Sequence, residues 1–369
     1  NILSFCSLLS LNARGLSAII TIAKYFDEGE LLRIMNSTNG IITVFAGSAS
    51  RPFAQKMCDY LGVELGKSTT HIFSEGGIYV RADESIRNKD VYIVQSIGKD
   101  PNNAFTELIF WIDAFKRASA NSITAIIPYF GYAKADKKDE PRVSIRARVC
   151  ADCIEMCGAD RVVTMDLHAA QVQGFFSKPV DHLYASALLC EYARHLGIVN
   201  ENLVVVSPDA GSAKRARAYA NILGCNVAIG DKVRIGHDEN PNALEIIGDV
   251  KGKTCMVVDD FTISGNTLCK VAYGLMDKGA KEIYAFLSHA IVKEDAVKRI
   301  EESPIKMLVT TDTVDNTDVL KNSKKIKVVS AAPLFAEAVR TIHEREPMAY
   351  MFEHLPARLM EMSFEDTDK

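Results

Sequence analysis

The 369-residue sequence lacks a long apolar run, and it also lacks an excess of basic residues. No stretch approaches the roughly 18 consecutive apolar residues that a membrane-spanning helix needs, so we expect no membrane partner. Lysine and arginine number 43 against 47 aspartate and glutamate residues, a net charge of −4. This balance gives no reason to expect a nucleic acid as partner. With 48% hydrophobic and 24% charged residues, the composition is that of an ordinary soluble globular protein.

The sequence also lacks a second cysteine cluster that could complete a metal site. Its nine cysteines are an odd and scattered set, which favours reduced thiols and a reducing compartment. Cys150 and Cys153 have the C-x-x-C spacing of many zinc ligands, and Cys157 follows. Spacings of three and four residues also place the three thiols on one face of a helix. Because no further pair completes a four-ligand set, we favour buried thiols over a zinc site.

Acidic residues are absent from the first 25 residues, which contain Arg14, Lys24 and several serines. This composition is faintly typical of a transit peptide. A helical extension, or vector-derived sequence, explains the same residues without targeting, and we favour it. We therefore treat residues 1–40 as an N-terminal extension and expect a cytoplasmic protein, with organelle targeting as the alternative.

From residue 41 onward, short apolar runs alternate with segments of helical periodicity. This alternation predicts an α/β protein with two mainly parallel sheets flanked by helices. A chain of this length favours two domains, which we place at 41–185 and 186–369. The predicted strands are 41–47, 71–80, 91–96, 123–128, 161–165, 203–207, 226–230, 256–258, 282–288, 307–311 and 325–330. The predicted helices are 51–61, 103–118, 143–157, 186–196, 213–223 and 268–278.

An apolar run that ends in Asp259 and Asp260 precedes a loop and then a helical pattern. The loop contains small and hydroxylic residues, namely Ser264, Gly265, Asn266 and Thr267. Such a loop lies at the carboxyl end of a sheet and at a helix N-terminus, where free N–H groups bind phosphate. Two acids there suit the vicinal hydroxyls of a sugar or a magnesium ion. An ordinary turn with an aspartate cap is the alternative, and this loop by itself leaves both open.

A second acidic motif follows the predicted strand 161–165. Asp166 and His168 are two residues apart and point to the same side, so they could hold a divalent cation or touch a nucleotide phosphate. A structural histidine with a capping aspartate is the alternative. Asp181 offers another acid close by in the sequence.

Two further motifs are typical of anion binding. Asp209 and Gly211 lie between a strand and a helix, and Gly211 allows close approach of the backbone to a ligand. Lys232 and Arg234 are two cations on alternate residues of a loop rich in Gly, Asn and Pro. They suit a polyphosphate whose charge rises in the transition state. A solvated charged loop is the alternative for the second motif.

In unbroken order from about residue 44 to 352, these motifs resemble ribose-phosphate pyrophosphokinase, also called phosphoribosyl pyrophosphate synthetase. The most specific of them is Thr164-Met165-Asp166-Leu167-His168-Ala169. The other matching stretches are 91–96, 116–120, 126–133, 164–176, 179–185, 207–216, 247–250 and 257–268. The resemblance implies two phosphoribosyltransferase-type domains in a homo-oligomer built from dimers, commonly a hexamer. It also implies Mg²⁺-dependent transfer of the diphosphoryl group of ATP to the 1-hydroxyl of ribose 5-phosphate, giving phosphoribosyl pyrophosphate and AMP for nucleotide biosynthesis.

The resemblance further assigns roles to individual residues. It implies an ATP site in the first domain at Phe73, Glu75, Lys134, Asp136, Lys137 and His168, with adenine stacked on Phe73. It implies a ribose 5-phosphate site in the second domain at Asp209, Gly211, Asp259, Asp260, Ser264, Gly265, Asn266 and Thr267. Mg²⁺ is expected at Asp166, His168 and Asp181. The catalytic residues are expected to be Lys232, Arg234 and His168, with the two cations stabilising the transferring group.

Several positions depart from the family pattern. Ile263 stands where the family usually has an aspartate, and Ala135 stands where it usually has a glutamine. Asn266 replaces a glycine, and asparagine tolerates the left-handed backbone that a glycine there might supply. These changes raise the alternative of a weak or inactive subunit that regulates a hetero-oligomer with paralogues. A phosphoribosyltransferase that consumes the product explains the acidic loop but not the Asp166–His168 motif.

We favour the active enzyme over both alternatives. Lys232 and Arg234 are retained, and a purely structural subunit has no need of them. Loss of one hydrogen bond to a substrate costs only about 1–3 kcal/mol, so the departures are compatible with turnover.

Overall fold

The computed structural model describes residues 42–232, 244–352, 354–360 and 364. The N-terminal extension expected at 1–40 and the expected catalytic residue Arg234 lie outside the described residues. Lys232 is described in its backbone only. Both sheets belong to one unit that spans Thr43–Lys369.

A five-stranded sheet with the order β1-β4-β5-β6-β7 is formed by the first half of the chain. The strands of the first half are β1 (Ile42–Ala46), β2 (Ser68–Ile72), β3 (Ile78–Ala82), β4 (Asp90–Val94), β5 (Ser122–Ile127), β6 (Arg161–Met165) and β7 (Val180–Leu183). Of these, β2 and β3 pair antiparallel in a separate two-stranded sheet. The helices are α1 (Arg51–Leu61), α2 (Pro101–Arg117) and α3 (Arg146–Cys157), with a 3₁₀ turn at Ala170–Phe175. Strands β4 to β7 pair in parallel. The sequences of these strands are aliphatic because helices cover a parallel sheet and bury its strands on both faces.

A seven-stranded sheet with the order β10-β9-β8-β11-β12-β13-β14 is formed by the second half. The strands are β8 (Leu203–Ser207), β9 (Asn226–Lys232), β10 (Leu244–Ile247), β11 (Thr254–Thr262), β12 (Glu282–Ala290), β13 (Met307–Thr311) and β14 (Ile326–Val329). In this sheet β10 pairs antiparallel with β9, and the other strand pairs are parallel. From β8 the chain moves to β9 on one side and later returns to β11 on the other. The order therefore reverses between β8 and β11, which is where ligands bind in open α/β sheets.

The remaining helices connect and cover these strands. They are α4 (Ser186–His195), α5 (Ala213–Leu223), α6 (Asn266–Asp277), α7 (Glu294–Glu302), α8 (Thr317–Leu320), α9 (Ala332–Glu344) and α10 (Ala357–Met360), with a 3₁₀ turn at Ala349–Phe352. Across the part of the chain that the structure describes, every helix is too short or too polar to span a bilayer.

The predicted α/β class with two mainly parallel sheets is confirmed, and three details of the strand prediction were wrong. The segment 71–80 is not one strand, because the turn at residues 73–77 separates β2 from β3. Gly76 adopts φ 90° in this turn and donates its N–H to the Phe73 carbonyl at 2.9 Å. The short strands β7 and β10 were not predicted. Strand β11 runs past the two acids to Thr262, since β12 continues to pair with it.

Helix α9, from the second half of the chain, packs on α1 of the first half. In the ring contact between α1 and α9, the centroids of Phe53 and Phe335 lie 5.4 Å apart. The Tyr60 hydroxyl donates to Glu337 Oε1 at 2.7 Å. The first sheet ends at Leu183, close to the expected domain boundary at 185, and that boundary stays a prediction. Helix α9 nevertheless contacts a helix of the first half.

Candidate active site

The carboxyl ends of β8 and β11 bring two of the sequence motifs together. The Ser212 hydroxyl donates to Asp259 Oδ1 at 3.1 Å, so the loop after β8 contacts the acid pair on β11. In that loop, Asp209 Oδ1 accepts the Ser212 N–H at 2.9 Å and holds the turn closed. Gly211 is exposed beside it. The two motifs therefore form one site at the point where the strand order reverses.

Arg215, in the first turn of α5, faces both acids of the pair. Its Nη1 atom lies 3.4 Å from Asp259 Oδ1 and 3.4 Å from Asp260 Oδ1. The side chain is only 20% exposed, so burial strengthens this attraction. The sequence offered one signal for this residue, a cation one helical turn after a candidate anion loop, but assigned it no role.

The two adjacent acids differ in their tendency to ionise. Burial, together with the negative charge of Asp260, raises the pKa of Asp259 to about 7. Burial also opposes ionisation of Asp260. The hydrogen bond with His168 and the charge of Arg215 outweigh this effect and lower the pKa of Asp260 to about 2. Asp260 is therefore the firmly ionised member of the pair.

His168 connects the first sheet to the acid pair on the second. Its Nδ1 atom lies 2.7 Å from Asp260 Oδ2, across 92 residues of sequence. This hydrogen bond raises the pKa of His168, although burial opposes the rise. Because Nδ1 faces Asp260, the Nε2 atom is the one left for a ligand. The imidazole therefore has a fixed orientation relative to the carboxylate.

Phe261 forms an aromatic platform next to this hydrogen bond. The rings of Phe261 and His168 meet edge to face with centroids 5.7 Å apart. Lys134 Nζ lies 5.3 Å from the centroid of the Phe261 ring, in cation–π geometry. Two of the residues expected at ATP, Lys134 and His168, are thus brought to the acid pair expected at ribose.

We expect Asp260→Asn to lower the pKa of His168 in the metal-free protein, because the hydrogen bond to the ionised carboxylate is the largest influence that raises it. NMR titration of the histidine ring signals measures this pKa directly. Asp249→Asn, which changes an exposed carboxylate paired with Lys253, is the matched control and should leave it unchanged. A His168 pKa that is the same in Asp260→Asn and in the unmodified protein would contradict the assignment.

Asp166 and Asp181, both expected at the metal, lie in different surroundings. Asp166 lines the same cleft as His168 and has φ 40°, a left-handed backbone that is rare for aspartate. Asp181 Oδ2 is bound by Arg161 Nη1 at 2.5 Å. Since Arg161 begins β6, this ion pair lies towards the amino end of the sheet. The structure therefore brings Asp166 to His168 but does not bring Asp181 there.

The loop after β11 leads through a left-handed glycine into the N-terminus of α6. Gly265 adopts φ 72° and precedes the first turn of α6. A Cβ atom there would lie 3.3 Å from Ile300 Cγ1, so space as well as conformation favours glycine. The left-handed residue is therefore Gly265. Asn266 begins the helix and needs no left-handed backbone, and its expected role at ribose 5-phosphate stays a prediction. Ser264 and Asn266 are exposed, and Thr267 is half-buried.

Ile263 is 54% exposed in this loop, although it is apolar. It follows Thr262, whose hydroxyl accepts the Gly265 N–H at 3.1 Å. Arg299 on α7 donates to the Ser264 carbonyl from outside the loop. The loop is therefore held by its own side chains and by α7, and Ile263 adds no polar group to it.

Phe73 and Glu75, also expected at ATP, lie on the β2–β3 hairpin. Phe73 is at the tip of the β2–β3 hairpin, 45% exposed, and its ring meets the ring of His71 at 4.9 Å. Glu75 is exposed in the same turn. Within the described residues, no contact joins this tip to His168 or Lys134. Asp136 and Lys137 follow Lys134 in the polar loop after β5.

The protein side chains alone do not form a complete metal-binding cage among the described residues. In residues 42–232 and 244–360, apart from 353, no group of three or more His, Cys, Asp or Glu side chains has the arrangement of a metal cage. Cys150, Cys153 and Cys157 lie on α3, with Cys150 buried. Burial raises the pKa of the Cys150 thiol to about 12.

Two family models match the chain. Residues 42–158 match the N-terminal domain of ribose phosphate pyrophosphokinase, and residues 233–353 match the phosphoribosyl synthetase-associated domain.

Individual relatives match over most of the chain. A ribose-phosphate pyrophosphokinase of Clostridium tetani is 44% identical over 85% of this chain and 97% of its own length. One from Caldanaerobacter subterraneus is 45% identical over 84% of this chain and 98% of its own length. The crystal structure of phosphoribosylpyrophosphate synthetase from Mycobacterium smegmatis superposes with a TM-score of 0.77 at 37% identity, covering 82% of this chain and 99% of that one.

Proposed function

The chain belongs to the ribose-phosphate pyrophosphokinase family, and from this premise we propose that it transfers the diphosphoryl group of ATP to the 1-hydroxyl of ribose 5-phosphate. The products are phosphoribosyl pyrophosphate and AMP. The observation that carries the proposal is the 2.7 Å hydrogen bond between His168 Nδ1 and Asp260 Oδ2. It joins the motif that follows β6, expected at ATP, to the acid pair on β11, expected at ribose. Donor and acceptor would therefore share one site.

The ribose side uses the acid pair and the start of α6. Asp260 is ionised near neutral pH and can accept hydrogen bonds from sugar hydroxyls. Asp259 Oδ1 already accepts from Ser212, so we assign its Oδ2 to the sugar. The N–H groups of the first turn of α6, after Gly265, suit the 5-phosphate.

The phosphate side uses positive charge. The raised pKa of His168 favours the imidazolium, whose Nε2–H can donate to a phosphate oxygen. Lys134 adds a cation beside it. Lys232 and Arg234 are proposed to stabilise the charge that accumulates on the transferring group. The protein contributes mainly positioning and charge neutralisation, as is usual in phosphoryl transfer.

The residues near His168 fit Mg²⁺ as the cofactor. This ion commonly binds one or two protein ligands and completes its shell with substrate phosphates and water. Asp166 accepts two hydrogen bonds on Oδ2, so we assign Oδ1 to the ion. His168 Nε2 can be a phosphate donor when it is protonated or a metal ligand when it is not, and we assign it to the phosphate. Asp181 does not fit, because Arg161 occupies it. Bound Mg²⁺ would neutralise charge on the phosphates of ATP.

The proposal includes assembly and location. We propose a homo-oligomer built from dimers, with a hetero-oligomer of paralogues as the alternative. A cytoplasmic location agrees with the free cysteines found among the described residues. Analytical ultracentrifugation of the purified chain measures the assembly.

The function is tested by incubating the purified chain with ATP, ribose 5-phosphate and Mg²⁺. AMP and phosphoribosyl pyrophosphate are expected in equal amounts, and neither should form when ribose 5-phosphate is left out. Nucleotide chromatography measures AMP, and a coupled phosphoribosyltransferase assay measures phosphoribosyl pyrophosphate. If the chain alone forms no AMP but activates a co-expressed paralogue, it is a regulatory subunit instead. Consumption of phosphoribosyl pyrophosphate with a purine base would identify a phosphoribosyltransferase.

A further inference from the structure

Two neighbouring residues at the end of β12 contact the segment that follows β6 in the other sheet. The Ser288 hydroxyl donates to Asp166 Oδ2 at 2.6 Å. His289 Nε2 lies 3.1 Å from the Met165 carbonyl oxygen. Ser288 and His289 are 0% and 1% exposed. These bonds are therefore shielded from water and cross between the two sheets.

The hydrogen-bond partners of His289 fix its tautomer. A carbonyl oxygen can only accept, so Nε2 must carry the hydrogen that reaches Met165. The other ring nitrogen, Nδ1, lies 2.7 Å from Thr313 Oγ1 and accepts the Thr313 hydroxyl hydrogen. Burial lowers the pKa of His289, which agrees with a neutral ring that holds one hydrogen.

The segment that these residues hold is strained. Asp166 has φ 40°, a left-handed backbone that is unfavourable for aspartate unless its surroundings impose it. Besides Ser288, the Ala185 N–H donates to Asp166 Oδ2 at 2.8 Å. His168 follows two residues later, so the orientation of its ring depends on this segment.

Strand β12 also positions Asp260, the hydrogen-bond partner of His168. In the register between β11 and β12, His289 pairs with Phe261, the residue next to Asp260. The position of Asp260 is thus set by pairing with β12, and the position of His168 by the bonds from Ser288 and His289. Strand β12 therefore fixes the position of His168 and the position of Asp260.

We propose that Ser288 and His289 are positioning residues that hold His168 within hydrogen-bond distance of Asp260, and so align the ATP part of the site with the ribose part. The inference rests on the proposed function and goes further by naming residues that act through Asp166, His168 and Asp260. A displacement of about 1 Å between reacting groups can lower a rate about 100-fold. Loss of this alignment should therefore reduce turnover and leave each separate binding site intact.

The test compares His289→Asn with His289→Gln. The amide nitrogen of glutamine reaches the place of Nε2 and keeps the bond to Met165, whereas that of asparagine reaches only the place of Nδ1. His289→Asn is expected to lower kcat for AMP formation about 100-fold. Its dissociation constants for ATP and for ribose 5-phosphate, measured separately by calorimetry, should stay within about twofold of the wild-type values. His289→Gln should keep most of the wild-type kcat. Ser288→Ala should lower kcat as much as His289→Asn does.

Wild-type kcat in both His289→Asn and Ser288→Ala would overturn the inference. Equal losses in the Asn and Gln variants, in proportion to their loss of Tm, would show a merely structural role and also overturn it. If His289→Asn does not fold, Ser288→Ala decides by the same comparison of kcat with binding. A wild-type chain without turnover overturns the proposed function instead. Crystal structures of the same variants then decide the inference, which fails if the His168–Asp260 contact is kept in them.

Discussion

Replacing Arg215 with methionine is expected to lower the free energy of unfolding by about 3–5 kcal/mol at neutral pH. The guanidinium of Arg215 lies 3.4 Å from a carboxylate oxygen of Asp259 and of Asp260, whose side chains are 16% and 5% exposed. Methionine keeps much of the apolar stem but removes the cation that faces both acids, and leaves only the His168 ring, which contacts Asp260. An uncompensated buried charge costs more than the pair contributed, so removing one partner is the damaging change.

The loss of stability in Arg215→Met should decrease as the pH is lowered. Arg215 helps to lower the folded pKa of Asp260 to about 2, below the value of about 3.9 for an unfolded aspartate. A group with a lowered folded pKa contributes stability that is present above the unfolded pKa and is lost as the pH falls through the folded pKa. The difference between Arg215→Met and wild type should therefore shrink as the pH falls below about 4.

Urea unfolding followed by circular dichroism measures the effect. Arg217→Met is the matched control, because Arg217 is exposed on the same helix and its replacement should change stability by less than about 0.5 kcal/mol. If the two variants were equally stable at neutral pH, Arg215 would not be the residue that balances the acid pair.

A second large effect is expected on catalysis. Lys232→Ala should lower kcat for AMP formation by about 100- to 1,000-fold. The dissociation constant for ATP should barely change, because the proposed contact strengthens only as charge accumulates in the transition state. Strand β9 ends at Lys232 and lies beside β8, whose carboxyl end leads to Asp209. Its backbone therefore ends at the same edge of the sheet as the acid pair.

Rapid-quench measurement of AMP, together with calorimetry of ATP binding, separates the two quantities. Lys251→Ala removes an exposed lysine that precedes β11, at the opposite edge of the sheet. This control should retain wild-type kcat. Equal losses of affinity and turnover in Lys232→Ala would speak against a role confined to the transition state.

The parts of the site that follow strands were accessible from the sequence, because a buried strand that ends in polar residues marks the carboxyl edge of a parallel sheet. His168 and Asp260 were both recognised in this way. Their mutual contact was not, since the register between two sheets depends on packing rather than on local pattern. Ser288 had no signal, because it lies within an apolar strand and reads as part of the core.

Two errors in the strand prediction have different physical causes. The alternating residues of 71–80 resemble one strand, but the Gly76–Gly77 pair forms a turn that breaks it. The extension of β11 past Asp260 depends on a partner strand that sequence periodicity does not reveal.

The packing of α9 on α1 has a consequence for biosynthesis. Tyr60 and Glu337, which join these helices, are separated by 277 residues. While the ribosome is still making the second half, α1 has no α9 to pack against, and the ring of Phe53 lacks its partner Phe335. Non-local contacts of this kind slow folding, and domains whose surfaces stay uncovered during translation are prone to aggregate. The N-terminal half is therefore expected to depend on chaperones until α9 leaves the ribosome.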